Sequence, residues 1–322
     1  MEDSLSGKMG FVRQVPLVCP GHNRGIVELQ YSEPVVDGLF LVSASHDGKP
    51  MLRNGETGDW IGTFEGHKGA VWGACINSDA SLAATGAAEF SAKLWDGFSG
   101  DCKHTFAMKH ICKSVALSED SHYLLAAGNM PSLSIFDLHR PDAAPTLMEG
   151  GSRATKIARY IDAGSTLFMS AGSNPSMYIW DTRAAEAPVR TLPLSAEVKS
   201  GEMSRDGTFL TLVCADEKLH AFDMRKFECM KTLTLPPGTE SASVHLERNR
   251  YVCGGHDLSV YMFDFETNQQ LASHKGHHGP VWVVRFAPDG LHYSSGSDDG
   301  TIRIWATQPE PNSFIEVQGL SG

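Results

Sequence analysis

The stretch GHHGPVWVVRFAPDGLHYSSGSDDGTIRIW, Gly276 to Trp305, spells out one complete structural unit in order. Gly276-His277 opens it, and Val281 to Phe286 is an apolar run of strand length. Pro288-Asp289-Gly290 makes a turn, because proline fixes φ and glycine accepts φ > 0. Leu291 to Gly296 reads as a second strand, and Asp298-Asp299-Gly300 reverses the chain again. Thr301 to Trp305 then alternates, as a strand with two unlike faces must. The same plan runs from Gly66-His67 through Val71–Ile76, a turn at Ser78-Asp79-Ala80 and Leu82–Gly86 to Lys93-Leu94-Trp95-Asp96.

Outward from these two units, the closing pair recurs along the whole chain: Arg53-Asn54, Trp95-Asp96, Phe136-Asp137, Trp180-Asp181, Phe222-Asp223, Phe263-Asp264 and Trp305-Ala306. The steps between first members are 42, 41, 44, 42, 41 and 42 residues. A period of ~40–45 residues with Gly-His openings and Trp-Asp endings marks the blade of a WD40 propeller. The expectation is an all-β, seven-bladed WD40 β-propeller forming a single domain over residues 13–306. At about 150 residues per domain the length suggests two domains, but stacked blades share one ring and the repeat overrides that prior. A blade buries its faces only against its neighbours, and closing the ring removes the free edges. Gln14 to Val18 precedes the first Gly-His and belongs to no complete unit. Residues 13–18 are therefore read as the outer strand closing blade seven, with Ser313 to Val317 as the competing segment. Residues 1–12 and 307–322 read as a flexible N-terminal and a C-terminal tail.

The net charge of 27 − 38 = −11 opposes contact with nucleic acid and anionic membranes. Direct nucleic-acid binding and membrane attachment are therefore not expected. Seven cysteines are scattered without a Cys-x-x-Cys pair, which fits reduced, buried thiols. Met1 to Gly10 lacks the apolar core of a secretory signal, and no apolar run approaches bilayer length. A cytoplasmic protein, present also in the nucleus, is expected, with a monomeric propeller.

WD40 blades often join the closing Trp to an opening His, a Ser/Thr and a turn acid. Unit two offers His67, Thr85, Glu89 and Trp95, and unit seven offers His277, Ser295, Asp299 and Trp305. In both, the hydroxyl residue stands ten positions before the Trp and the acid six before it. Such sets imitate hydrolase triads, but their recurrence by blade makes them structural: a buried imidazole must have both nitrogens satisfied. Unit one has His22, Ser43 and Asp47 but closes with Arg53, and unit four has Ser170, Asn174 and Trp180 without an opening His. Units three, five and six close with Phe, which keeps the packing role; units five and six retain Asp216 and Asp257, whereas unit three has Met130. No nucleophile elbow, phosphate loop, dinucleotide fingerprint or zinc-protease helix occurs. No catalytic residue, cofactor or metal is expected. His274, His277 and His278 lie close together without a Cys or acid at ligand spacing, so they read as structural and solvated.

One run is more specific than the fold. Asp47-Gly48-Lys49-Pro50-Met51-Leu52-Arg53, Thr57 to Phe64, and Gly66-His67-Lys68-Gly69-Ala70-Val71-Trp72-Gly73 closely resemble the serine/threonine kinase receptor-associated (unr-interacting) protein family. Lys275 to Val281 and Tyr293 to Gly300 fit the same family, and blades three to six match it loosely. The resemblance implies a non-enzymatic scaffold whose partners are other proteins in cytosolic RNA–protein complexes. These are spliceosomal ribonucleoprotein assembly with the survival-of-motor-neuron complex, mRNA translation through the unr RNA-binding protein, and receptor kinase signalling in animals. Animal members carry a long acidic extension after the last blade; the present sequence ends at Gly322, so a role resting on that extension is not expected of it. The alternative is the WD40 subunit of eukaryotic translation initiation factor three, which also opens a late blade with Gly-His-x-Gly-Pro but lacks the Lys-Pro-Met-Leu-Arg run.

Aligning the units places one residue per blade near the top of each inner strand: Val27, Trp72, Lys113, Lys156, Lys199, Ala242 and Trp282. The three lysines, spaced 43 and 43 residues apart, fall on consecutive blades. They are expected to form a positive sector that docks an acidic segment of a partner, with Trp72 and Trp282 as apolar anchors. The same lysines also read as solvated strand ends, and the tryptophans as packing between blades. A second ring, just before the turn acids, reads His46, Ala88, Asn129, Ser173, Ala215, His256 and Asp298, without coherent charge.

Overall fold

A computed structural model describes residues 14–184 and 187–308. The expected tails, apart from Thr307 and Gln308, and the segment Ser313 to Val317 lie outside the described residues. Among the described residues there are 28 strands, β1 to β28, in seven four-stranded antiparallel sheets, and no helix. The first strand of each unit is β2 (Ile26–Tyr31), β6 (Val71–Ile76), β10 (Cys112–Leu117), β14 (Thr155–Tyr160), β18 (Val198–Met203), β22 (Thr239–His245) and β26 (Val281–Phe286). Each lies beside the first strand of the next unit, and β26 lies beside β2, so the ring is closed. The chain is a seven-bladed β-propeller. Blade seven is completed by the first strand of the chain: β1 (Leu17–Cys19) pairs with β28 (Ile302–Ala306), Leu17 opposite Ile304 and Cys19 opposite Ile302.

Packing runs between neighbouring sheets rather than through one central core. Val42, Ala44 and Leu52 of blade one join Val71, Ala74, Ile76 and Trp95 of blade two in a single buried cluster. Small residues let the sheets approach: a Cβ added at Gly73 would lie 2.7 Å from the Lys113 carbonyl oxygen in the next blade. The closing aromatic fills the space between sheets whether it is Trp or Phe, since Trp95, Trp180 and Trp305 are fully enclosed and Phe136 and Phe222 nearly so. Blade one departs from this. Arg53 is buried there, its guanidinium donating to the carbonyls of Gly58 (3.1 Å) and Pro20. Backbone acceptors satisfy its two terminal nitrogens, while its Nε stays buried without a partner.

Every inner strand carries a β-bulge at its second residue, where the ladder to the next strand shifts register. A bulge takes one residue out of the ladder and re-aims its side chain. The bulged residues are Val27, Trp72, Lys113, Lys156, Lys199, Glu240 and Trp282. Further down, charged side chains cross the axis. Arg205, following β18, donates to the carbonyls of Ile76 (3.2 Å) and Tyr31 on the far side of the ring. Arg285 lies 2.7 Å from Glu28 and donates to Ser241 Oγ at 3.2 Å, and Arg159 stands 4.0 Å from Glu28. Arg205 and Arg159 thus reach across the axis to distant blades, while Arg285 ties blade seven to its two neighbours.

Removing one member of such a pair leaves the other desolvated and uncompensated. Arg285→Met is expected to lower the unfolding free energy by about 3 kcal/mol in urea titrations. The double variant Glu28→Gln/Arg285→Met is expected to recover a substantial part of that loss.

Candidate functional site

The tetrads assemble in blades two and seven. His67 Nδ1 lies 2.7 Å from Glu89 Oε1, its Nε2 lies 2.6 Å from Thr85 Oγ1, and Trp95 Nε1 donates to the same hydroxyl at 2.8 Å. In blade seven, His277 Nδ1 lies 3.0 Å from Asp299 Oδ2, its Nε2 lies 2.8 Å from Ser295 Oγ, and Trp305 Nε1 donates to that oxygen at 2.9 Å. One proton arrangement satisfies every member. The indole N–H donates to the hydroxyl, the hydroxyl donates to Nε2, and Nδ1–H donates to the carboxylate. Burial lowers the pKa of His67 and of His277, so both imidazoles are neutral. Burial opposes ionisation of Asp299, but the N–H groups of His278 and Thr301 and the Thr301 hydroxyl outweigh it and hold its pKa at about 2. Thr85 and Ser295 are fully buried, so no substrate reaches either hydroxyl. Blade one keeps the polar half, with His22 2.9 Å from Asp47 and 2.8 Å from Ser43. Blade four keeps the apolar half: Trp180 donates to Ser170 at 2.8 Å, and Ser152 Oγ accepts the Asn174 N–H at 2.9 Å.

The seven bulged residues line one cavity of about 250 Å³ at the mouth of the ring. Its sixth member is Glu240, not Ala242. Ala242 is fully buried two residues further along β22, opposite Cys253. The turn residue decides it: Asp257 stands 17 positions after Glu240, the offset that Glu89 keeps from Trp72 and Asp299 from Trp282, whereas Ala242 is two positions out of step. The correction changes the electrostatics. Lys199 Nζ lies 2.9 Å from Glu240 Oε1 and donates to the Thr239 carbonyl at 3.0 Å, so this lysine is paired within the ring. Lys113 Nζ stands 5.1 Å from the centre of the Trp72 ring, a cation–π contact. Burial, and then the ammonium of Lys156, lower the pKa of Lys113. Among the described residues neither Lys113 nor Lys156 has a carboxylate within ion-pair distance. The expected three-lysine sector is therefore two adjacent unpaired cations and one neutralised.

Both tryptophans are half-buried in this mouth, each against a histidine of the preceding blade's second ring. Trp72 meets His46 at 4.5 Å and Trp282 meets His256 at 5.3 Å, both edge-on. They pack between blades and line the mouth at once. No local sequence signal marks the axial network of Glu28, Arg159, Arg205 and Arg285, because its partners are up to 257 positions apart. Cys214, Asp216 and His220 of blade five have ligand atoms within 4.8 Å of one another. These donors are engaged elsewhere: His220 contacts Ser195 (2.9 Å) and Thr232 (3.1 Å), and Asp216 pairs with Lys218 at 2.9 Å. Burial pushes the Cys214 thiol up to about 11.

Fold and tetrads together define a WD40-repeat propeller. The family model for the WD domain, G-beta repeat matches residues 58–96 and 268–306, the units that hold the complete tetrads. The chain is 44% identical over 297 residues to the Serine-threonine kinase receptor-associated protein of Gallus gallus, covering 92% of this chain and 83% of that protein. It is 39% identical over 290 residues to the protein of that name from Dictyostelium discoideum, covering 90% and 98% respectively. Subunit I of Eukaryotic translation initiation factor 3 from Culex quinquefasciatus is 26% identical over 327 residues, covering 93% and 99%. The chain belongs to the serine-threonine kinase receptor-associated protein family.

Two measurements check the tetrads. Thr85→Val leaves the His67 and Trp95 nitrogens without their shared partner and is expected to cost about 2 kcal/mol in urea unfolding. The second is pH. Below the ordinary histidine value of ~6.5 the unfolded chain takes up protons that buried His67 and His277 refuse, so stability falls as pH drops from about 7 to 5. Buried Cys75 and Cys112, raised to about 11 and about 12, act oppositely: the unfolded thiols ionise first, and stability falls above about pH 8.5. Unfolding midpoints are expected to peak near pH 7–8.

Proposed function

We propose that this chain is a non-enzymatic adaptor that holds proteins together in RNA–protein assemblies of the cytoplasm and nucleus, docking an acidic protein segment at the mouth of its ring. The observation that carries the docking reading is the Lys113–Lys156 pair. Two ammonium groups face one cavity, and among the described residues no carboxylate lies within ion-pair distance of either, the cavity's own Glu28 and Glu240 being paired with Arg285 and Lys199. Membership of the family supports the adaptor role, and the name its relatives carry describes association with a kinase receptor. Spliceosomal ribonucleoprotein assembly and translation are the processes that the resemblance favours. Trp72 and Trp282 supply large rigid surfaces of the kind that anchor interfaces. Lys199 orders the mouth through Glu240 and does not meet the guest.

The test is affinity capture of the tagged chain from its native cell, with partners identified by mass spectrometry. Wild type is expected to retain proteins of ribonucleoprotein assembly or translation. Lys113→Glu/Lys156→Glu is expected to lose at least one of them at unchanged melting temperature. Capture dominated by initiation factor three subunits would move the chain to the alternative assembly. An unchanged partner set in the double variant removes the mouth from the reading.

A further inference from the structure

The two tryptophans of the mouth occupy equivalent places but differ in one hydrogen bond. The N–H of Asp298 donates to the Pro280 carbonyl at 2.9 Å, and that of Ala88 donates to the Ala70 carbonyl at 2.8 Å. The same bond recurs from His46 to Gly25 and from Asn129 to Ile111, so Ala88 and Asp298 hold one structural position in different blades. In blade seven that position caps the tryptophan: Trp282 Nε1 donates to Asp298 Oδ1 at 3.2 Å. In blade two a methyl group stands there, and Trp72 Nε1 is shielded from solvent with no hydrogen-bond partner. His46, packed edge-on against Trp72, has its Nε2 equally buried and unpartnered. A buried N–H without an acceptor is costly, and a guest reaches this one only when the half-buried Trp72 side chain rotates at the mouth, an ordinary side-chain adjustment on binding. The ammonium group of Lys113 stands over the same indole, and Lys156 lines the same cavity. The site holds several hydrogen-bond donors and two positive charges, and position 88 supplies no acceptor.

We infer that a side-chain carboxylate of the docked acidic segment fills, in blade two, the place that Asp298 fills in blade seven, accepting from Trp72 Nε1 between Lys113 and Lys156. This rests on the docking reading above and assigns its contact atom. The missing carboxylate at position 88 makes Ala88 the residue that sets specificity: an aspartate there would occupy the site from within. Room for the pair also differs. A Cβ added at Gly25 would lie 2.6 Å from Asp298 Oδ1, and the residue corresponding to Gly25 beside blade two is Ile111. The segment therefore has to enter from the mouth, over Lys113 and Lys156, rather than from the rim.

The probe is hexaglutamate blocked at both ends, so that side-chain carboxylates are its only anions. It is titrated into the 15N-labelled full chain while the indole N–H resonances are followed, that of Trp72 being assigned through Trp72→Phe. The expected result is a shift of the Trp72 indole signal with little movement of Trp282. Ala88→Asp, or Ala88→Asp/Ile111→Gly where the isoleucine holds the new carboxylate away, is expected to weaken binding at least tenfold with the melting temperature retained. Hexaglutamate that binds and is lost in Lys113→Glu/Lys156→Glu, while Trp72 stays unshifted and both position-88 variants bind as wild type, overturns the inference and leaves the docking reading standing. No binding by wild type removes both. Should the variants fail to fold, the presence or absence of the Trp72 shift in wild type decides alone.

Discussion

A four-stranded sheet that is apolar on both faces is unstable alone, and this molecule is built on the contact that remedies it: each sheet lies flat against the next, and the last against the first. The stacking is strictly between neighbours, so each blade answers to two partners rather than to a common centre. That explains why the chain tolerates so much variation in its polar fittings. Phe136, Phe222 and Phe263 replace tryptophan without opening the space between sheets, and Arg53 replaces it by drawing on the carbonyls of Gly58 and Pro20. The hydrogen-bonded tetrad sharpens two blades but does not hold the ring together. The ring is closed by β1, whose three residues cover the edge that β28 would otherwise expose.

The centre of the ring poses a separate problem. Seven inner strands leave an axial space, and the chain fills it with long charged side chains rather than apolar ones. Arg205 reaches across to backbone carbonyls of blades one and two, while Glu28 holds Arg285 and stands near Arg159. Such pairs contribute little net stability compared with apolar filling, but they are directional. The Arg205 contacts and the approach of Arg159 to Glu28 link blades that share no sheet contact, while the Glu28–Arg285 pair ties the neighbouring blades one and seven at the point where the ring closes.

Much of this was legible in the sequence, and the boundary of legibility has a physical basis. The beat of closing residues, the turns and the two full tetrads are local patterns, set by periods of two along a strand and about forty along the ring. They can be read because each unit repeats the same solution. The tetrad spacing located His67, Thr85, Glu89 and Trp95 because hydrogen bonds within one blade impose fixed offsets. The axial ion pairs join residues with no repeating offset, so no period reveals them. Glu240 is legible by contrast, since it keeps the 17-residue offset to its turn acid Asp257 that Trp72 keeps to Glu89 and Trp282 to Asp299. The uncapped indole of Trp72 sits between these cases. Ala88 and Asp298 appear at matched positions in the sequence, but their meaning depends on knowing that this position faces a tryptophan.

The bulge recurring in all seven inner strands is what separates function from fold. It lifts one side chain per blade out of the ladder, so packing makes few demands on its identity. Val27 serves there as well as Trp72 or Lys156. Placing two lysines side by side at such a position is not required by the stacking and is disfavoured by their mutual repulsion, which contributes to lowering the pKa of Lys113. One further lysine is neutralised by Glu240, which shows that the ring can pair a cation where structure calls for it. The remaining pair is therefore best accounted for by a guest that brings its own negative charge. With a net charge of −11 the molecule repels such a guest at long range, but salt screens that repulsion beyond about 8 Å at physiological ionic strength. Attraction then acts only within the mouth. On the docking proposal, an acidic segment that fits between Trp72 and the lysines gains contacts that a broad acidic surface would not.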